Sequence, residues 1–157
     1  MSGDSMDKRL IGRCGLYCGA CSIYRGERDD AELRQKIAKS VNCSEEQVRC
    51  NGCGDLSSTC WGYGCKIVVC LRAKGLNYCY ECSEYEKKIC TKHGKLAQSY
   101  LEIGVDLREN LKKIANGLAE EWLKESEARF KCSHCGQPLS AWKETCHKCG
   151  SKVSFIY

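Results

Sequence analysis

The chain has 157 residues, 43% of them hydrophobic, enough for one domain of about 100–130 residues and a small appendage. Sixteen cysteines, about a tenth of the chain, signal a disulfide or metal scaffold. The start, MSGDSMDKRLIGR, has no apolar run of the kind a secretory leader needs, and no stretch reaches membrane-span length, so the expected setting is cytoplasmic and the cysteines read as metal ligands.

The formal charge of +5 counts every cysteine as neutral. Sixteen metal-bound thiolates would subtract sixteen charges and four Zn²⁺ would return eight, leaving −3. Lysines and arginines from 94 to 131 are matched by acids, so no stripe of one sign points to a phosphate backbone.

The first motif is GRCGLYCGACSIYR at 12–25, which spaces Cys14, Cys18 and Cys21 as Cys-x3-Cys-x2-Cys. This spacing can hold three corners of a [4Fe–4S] cluster, or three ligands of a zinc loop completed from elsewhere. Radical chemistry on such a cluster would need most of a β/α barrel, and no strand–helix repeat is present. Residues 29–41 read as a helix with Leu33, Ile37 and Val41 on one face and Asp29 or Asp30 as cap. Cys43 follows and belongs to no short pair.

From 50 to 90 cysteines are dense. Cys50/Cys53 and Cys79/Cys82 are Cys-x-x-Cys knuckles, and Cys60, Cys65, Cys70 and Cys90 are spaced singly. The spacing predicts a helix over 65–74 ended by Gly75, and another over 83–93 with Ser83 and Glu86 as a capping box. On those helices Cys70 and Cys90 are either ligands or small buried hydrophobes. The expected grouping is Cys14, Cys18 and Cys21 with one later cysteine, and Cys50/Cys53 with Cys79/Cys82.

The runs CGLYCGAC at 14–21, CNGC at 50–53, CKIVVC at 65–70 and YCYEC at 78–82 resemble a cysteine-rich family of bacteria and archaea, domain of unknown function 3795. The resemblance covers about 14–90, and some members continue into a helix and a C-terminal ribbon. It implies zinc binding and no agreed reaction. Members often carry a phenylalanine–proline–cysteine run where this chain has Lys87-Lys88-Ile89-Cys90, which leaves the surroundings of Cys90 open.

Residues 94–130 contain no cysteine. Leu107, Leu111, Ile114, Leu118 and Trp122 form one apolar stripe, which Gly104 and Gly117 interrupt, with Asp106 placed to cap a longer second helix. The stripe is read as a packing face, with Glu109/Lys113 and Glu120/Lys124 as ion pairs on the helix surface.

At 131–152, KCSHCGQPLSAWKETCHKCGSK repeats Cys-x-x-Cys-Gly, giving Cys132, Cys135, Cys146 and Cys149. Two knuckles of this kind make a closed tetrahedral four-sulfur site, and so short a segment would draw most of its folding free energy from the metal. His134 and His147 are spacers between ligands, and VSFIY at 153–157 is read as a strand closing a ribbon sheet.

The sequence therefore predicts an α-rich, small, metal-stabilised irregular domain with short helices over 10–93, a packing helix over 94–130, and a C-terminal β zinc ribbon over 131–157. Several Zn²⁺ per chain are expected, with a [4Fe–4S] cluster at Cys14/Cys18/Cys21 as the alternative. No serine–histidine–acid set, phosphate loop or His-Glu-x-x-His motif is present, so a non-catalytic reading is preferred. The expected role is an interaction module with a protein partner; nucleic acid draws little support from the charge pattern. A thiol-based metal or redox sensor is the third reading.

Overall fold

The computed structural model describes residues 8–153 and 155. Seven α-helices are formed by these residues: α1 (Ser22–Arg28), α2 (Ala31–Ser40), α3 (Lys66–Lys74), α4 (Ser83–Glu86), α5 (Thr91–Leu101), α6 (Leu107–Ala115) and α7 (Ala119–Arg129). Short 3₁₀ turns join them, among them Cys18–Ala20, Cys53–Asp55 and Cys79–Glu81. None of the helices is long and apolar enough to cross a membrane.

Local chemistry sets most boundaries. Asp30 caps α2 by accepting from the Leu33 amide at 3.1 Å, and Asp106 caps α6 by accepting from Arg108 and Glu109. Gly75 ends α3 in the left-handed region at φ 68°. The helix expected over 83–93 is instead broken. Cys82, not Ser83, stands at the cap; α4 stops at Glu86; Lys88 takes φ 62°; and α5 starts afresh after Cys90. Gly117, at φ 82°, likewise splits the apolar stripe between α6 and α7. This turns Leu118 outward (42% exposed), while Leu107, Leu111, Ile114 and Trp122 stay buried. Lys113 reaches across to Glu125 of α7 at 3.4 Å rather than along its own helix to Glu109.

The largest correction concerns 131–157. No β-sheet occurs among the described residues, so the fold is mostly α-helical and irregular, with no zinc ribbon. Each C-terminal knuckle closes with one isolated bridge, Lys131 with Pro138 and Thr145 with Lys152. A ribbon needs strands that pair with each other, and here the chain between the knuckles turns inward. Leu139, Ser140 and Ala141 are buried, and the Ala141 amide donates to the Ala20 carbonyl at 3.0 Å. Of the expected closing strand, residues 154, 156 and 157 lie outside the described residues; Phe155 is buried against Phe130 with ring centroids 5.3 Å apart.

One core joins these segments. Tyr17, Ala20, Ile67, Leu71, Tyr100, Leu107, Leu111, Trp122 and Phe130 pack together with Cys132, Leu139 and Cys146. Gly15, at φ 99°, lets the first cysteine loop lie directly on the backbone of α6, where a Cβ would meet the Leu107 carbonyl. A second, smaller core holds Ile23, Ile37, Val48, Cys50 and Cys60 beneath α1 and α2.

Candidate metal centre

Cys132, Cys135, Cys146 and Cys149 converge on one point: their four sulfurs all lie within 4.8 Å of one another. Each knuckle is a local device. The Cys132 amide donates to Gln137 O at 2.9 Å and the Gly136 amide to Cys132 O at 2.9 Å; Cys146, Ser151 and Gly150 repeat the pattern at 2.8 and 2.9 Å. Gly136 and Gly150 both take φ 79° to close these turns.

The sulfur spacing tests the fit to an ion. Metal–sulfur bonds of about 2.3 Å in tetrahedral geometry place sulfurs about 3.8 Å apart. Cys132 Sγ and Cys149 Sγ are 3.6 Å apart, and Cys135 Sγ and Cys146 Sγ 3.7 Å. The site fits a single tetrahedral ion, and thiolates accept zinc and iron alike. Cys132 and Cys146 are buried while Cys135 and Cys149 face solvent, so the site sits at the core's edge. The Ser151 hydroxyl, 3.3 Å from Cys149 Sγ, and the Ser151 amide pull that thiol down to about 6.

The spacer histidines differ from expectation. His147 is not simply solvated: its Nδ1 lies 3.2 Å from Asp30 Oδ2 and its Nε2 3.7 Å from Asp29 Oδ1. Lys143 Nζ reaches the same Asp30 oxygen at 3.0 Å, and the Asp30 side chain is 2% exposed. Burial alone would raise the Asp30 carboxyl, but the Lys143 ammonium and the Leu33 amide outweigh it and hold the carboxyl below its ordinary value. The acid that caps α2 therefore also anchors the second knuckle. His93, the third histidine, is 1% exposed and lies 2.9 Å, through Nε2, from the Cys14 carbonyl.

Upstream, the cysteines gather less tightly. The Cys53 amide donates to Cys18 Sγ at 3.3 Å. The close pairing of these two side chains pushes Cys18 up and pulls Cys53 down to about 7. Burial, and then neighbouring Cys53, Cys79 and Cys65, raise Cys14, and burial and Cys53 also raise Cys21, so Cys53 stands beside the Cys14/Cys18/Cys21 loop. Cys50 adjoins Cys21, Cys53 and Cys60. Cys65 stands just before α3 and lines a cleft of about 730 Å³ with Trp61, Lys66, Lys92 and Lys95. Cys79 is pushed up to about 12 by burial and by the nearby Cys90, Cys70 and Cys82. Cys43 packs against the smaller core.

Two organising features went unread in the sequence. Arg13 donates from Nε to Cys53 O at 3.2 Å and from its guanidinium to Asn77 O at 3.1 Å, and its own carbonyl accepts from the Cys79 amide at 3.0 Å. One residue thus ties three cysteine segments together. In addition Cys21, Cys65, Cys82 and Cys90 stand immediately before α1, α3, α4 and α5. A cysteine preceding these four of the seven helices was visible in the sequence.

The family description "protein of unknown function (DUF3795)" covers residues 10–95, more than half of the chain. The chain belongs to the DUF3795 family. No curated protein and no solved structure matches it. The four-sulfur site at 132–149 therefore lies outside the DUF3795 region, joined to it through Asp30, Ala20 and the common core.

Proposed function

We propose that this protein is a zinc-binding module whose metal sites hold its fold and whose exposed surface contacts another protein in a reducing, cytoplasmic setting. The observation that carries the reading is the Cys132/Cys135/Cys146/Cys149 cluster, with its sulfurs at tetrahedral spacing. Four thiolates close the coordination sphere, leaving no position for a substrate or activated water, which favours a structural over a catalytic role. Two tryptophans and a tyrosine left partly in solvent, Trp61, Tyr63 and Trp142, supply aromatic contact area of the kind protein interfaces use.

A second reading, an iron–sulfur cluster at Cys14/Cys18/Cys21, is favoured by one feature: Cys53 stands beside the loop as a fourth sulfur, and its amide donates to Cys18 Sγ. Hydrogen bonds to ligand sulfurs are a recurrent means of tuning such clusters. The test is metal content and visible absorbance of protein purified without oxygen. Colourless protein with about three or four zinc per chain is the expected result. A brown sample with about four iron per chain would replace the zinc reading for the N-terminal region.

A further inference from the structure

We infer that Cys70, Cys79, Cys82 and Cys90 form a second metal site, separate from the C-terminal cluster, that takes one zinc-class divalent ion. The inference rests on the zinc-binding reading above and deepens it by naming which upstream thiols act together.

These four cysteines, with Ile67, Leu71, Tyr85 and Lys92, ring one cavity of about 20 Å³. A cavity of that size holds about one water-sized occupant. That is room for a single ion. The walls come from three elements: Cys70 from the middle of α3, Cys79 and Cys82 from the 3₁₀ knuckle, and Cys90 from the residue before α5. The first two are held by other contacts. The Cys79 amide is held by Arg13 O at 3.0 Å, and Glu81 Oε1 pins the knuckle by accepting from the Asn77 and Tyr78 amides at 2.9 and 2.7 Å. Ile67 and Leu71, either side of Cys70, are buried in the main core.

The donor set is the one soft divalent metals select, and the rest of the lining is largely apolar. Four thiolates around a divalent ion carry an excess of two negative charges, and cations are placed to offset it. Lys74 Nζ lies 3.1 Å from Cys82 Sγ, and Lys92 belongs to the wall. Among the described residues these sulfurs ring a space rather than meet at a point as Cys132, Cys135, Cys146 and Cys149 do. Binding would have to draw them inward to ligand spacing. The competing account is four reduced thiols serving as small apolar side chains.

The test uses the full chain purified without oxygen, comparing wild type with Cys90→Ser, Cys90→His, Cys43→Ser and the pair Cys132→Ser/Cys149→Ser. Zinc is counted after dialysis, helicity is checked by circular dichroism, and Co²⁺ loading is followed through the thiolate charge-transfer bands. Cys90→Ser is expected to lose one zinc equivalent with helicity retained. Cys90→His, which restores a ligand, is expected to keep the ion and shift the cobalt bands, and Cys43→Ser to match wild type. Zinc unchanged in Cys90→Ser, or a wild-type chain holding one zinc that only the Cys132→Ser/Cys149→Ser pair removes, overturns the second site and leaves the zinc-module reading standing. Wild-type protein that takes up neither zinc nor cobalt overturns both.

Discussion

The C-terminal knuckles and the DUF3795 region solve the same problem, placing thiols near one another, by opposite means. At 132–149 each pair is set by its own tight turn, with amide-to-carbonyl bonds confined to six residues, and the sulfurs arrive at ligand spacing. Upstream, neighbours are brought together by tertiary structure: Cys53 meets Cys18 across 35 residues, and Cys79 of the 3₁₀ knuckle and Cys90 before α5 line one cavity with Cys70 of α3. Local geometry gives tight convergence. Tertiary assembly gives looser rings whose closeness depends on the core.

The sharpest way to break this comparison is to remove metal. Structural zinc in small domains contributes roughly 10–16 kcal/mol of apparent binding free energy. Chelation is therefore expected to abolish hydrogen-exchange protection across 131–153 and to lower it by less in α2 and α3, which also pack on apolar cores. Equal loss in both regions would mean that the DUF3795 region depends on metal just as heavily.

Next in size is Gly15→Ala. The added Cβ meets the Leu107 carbonyl, at a φ that L side chains rarely adopt, and the expected cost is about 3–4 kcal/mol in denaturant unfolding. A change under about 1 kcal/mol would show that the loop can lift off α6 without penalty.

Asp30→Ala removes a helix cap and leaves Lys143 without its buried partner, an expected loss of about 2–3 kcal/mol. The pH dependence has a definite sign. Because the folded carboxyl titrates below its ordinary value, its contribution is present above about pH 4 and is lost as pH falls through the folded pKa. Unfolding midpoints of wild type and Asp30→Ala should converge towards acid; a constant gap down to low pH would refute the anchoring role. Smallest is Lys113→Ala, whose partly exposed pair with Glu125 should be worth no more than about 0.5 kcal/mol and should weaken further in salt.

What the sequence made legible follows the same division. The two C-terminal knuckles, the Asp30 and Asp106 caps and the Gly75 stop are decided within a few residues, so spacing and side-chain chemistry suffice. The ribbon sheet was not there to be read. Alternating residues such as Leu139 and Ala141 satisfy a strand pattern, but here they are consumed by the main core and leave only single bridges. The 83–93 helix failed because Ser83 and Glu86 make a convincing start and nothing in the composition announces that Lys88 takes positive φ. Which upstream thiols share a space was hidden because it depends on Arg13 and on helix packing, neither of which leaves a periodic trace.

The long reach of the C-terminal segment has a consequence in time. Ser140 Oγ pairs with Ser22 Oγ at 2.8 Å across 118 positions, and Ala141 closes onto Ala20. A chain emerging from the ribosome would carry the first cysteine loop, with Tyr17 and Ala20, for most of its synthesis before the segment that covers it exists. Contacts of such high sequence separation form late and leave apolar surface waiting. Chaperone capture and thiol oxidation during that interval would then bear on how much protein a cell recovers.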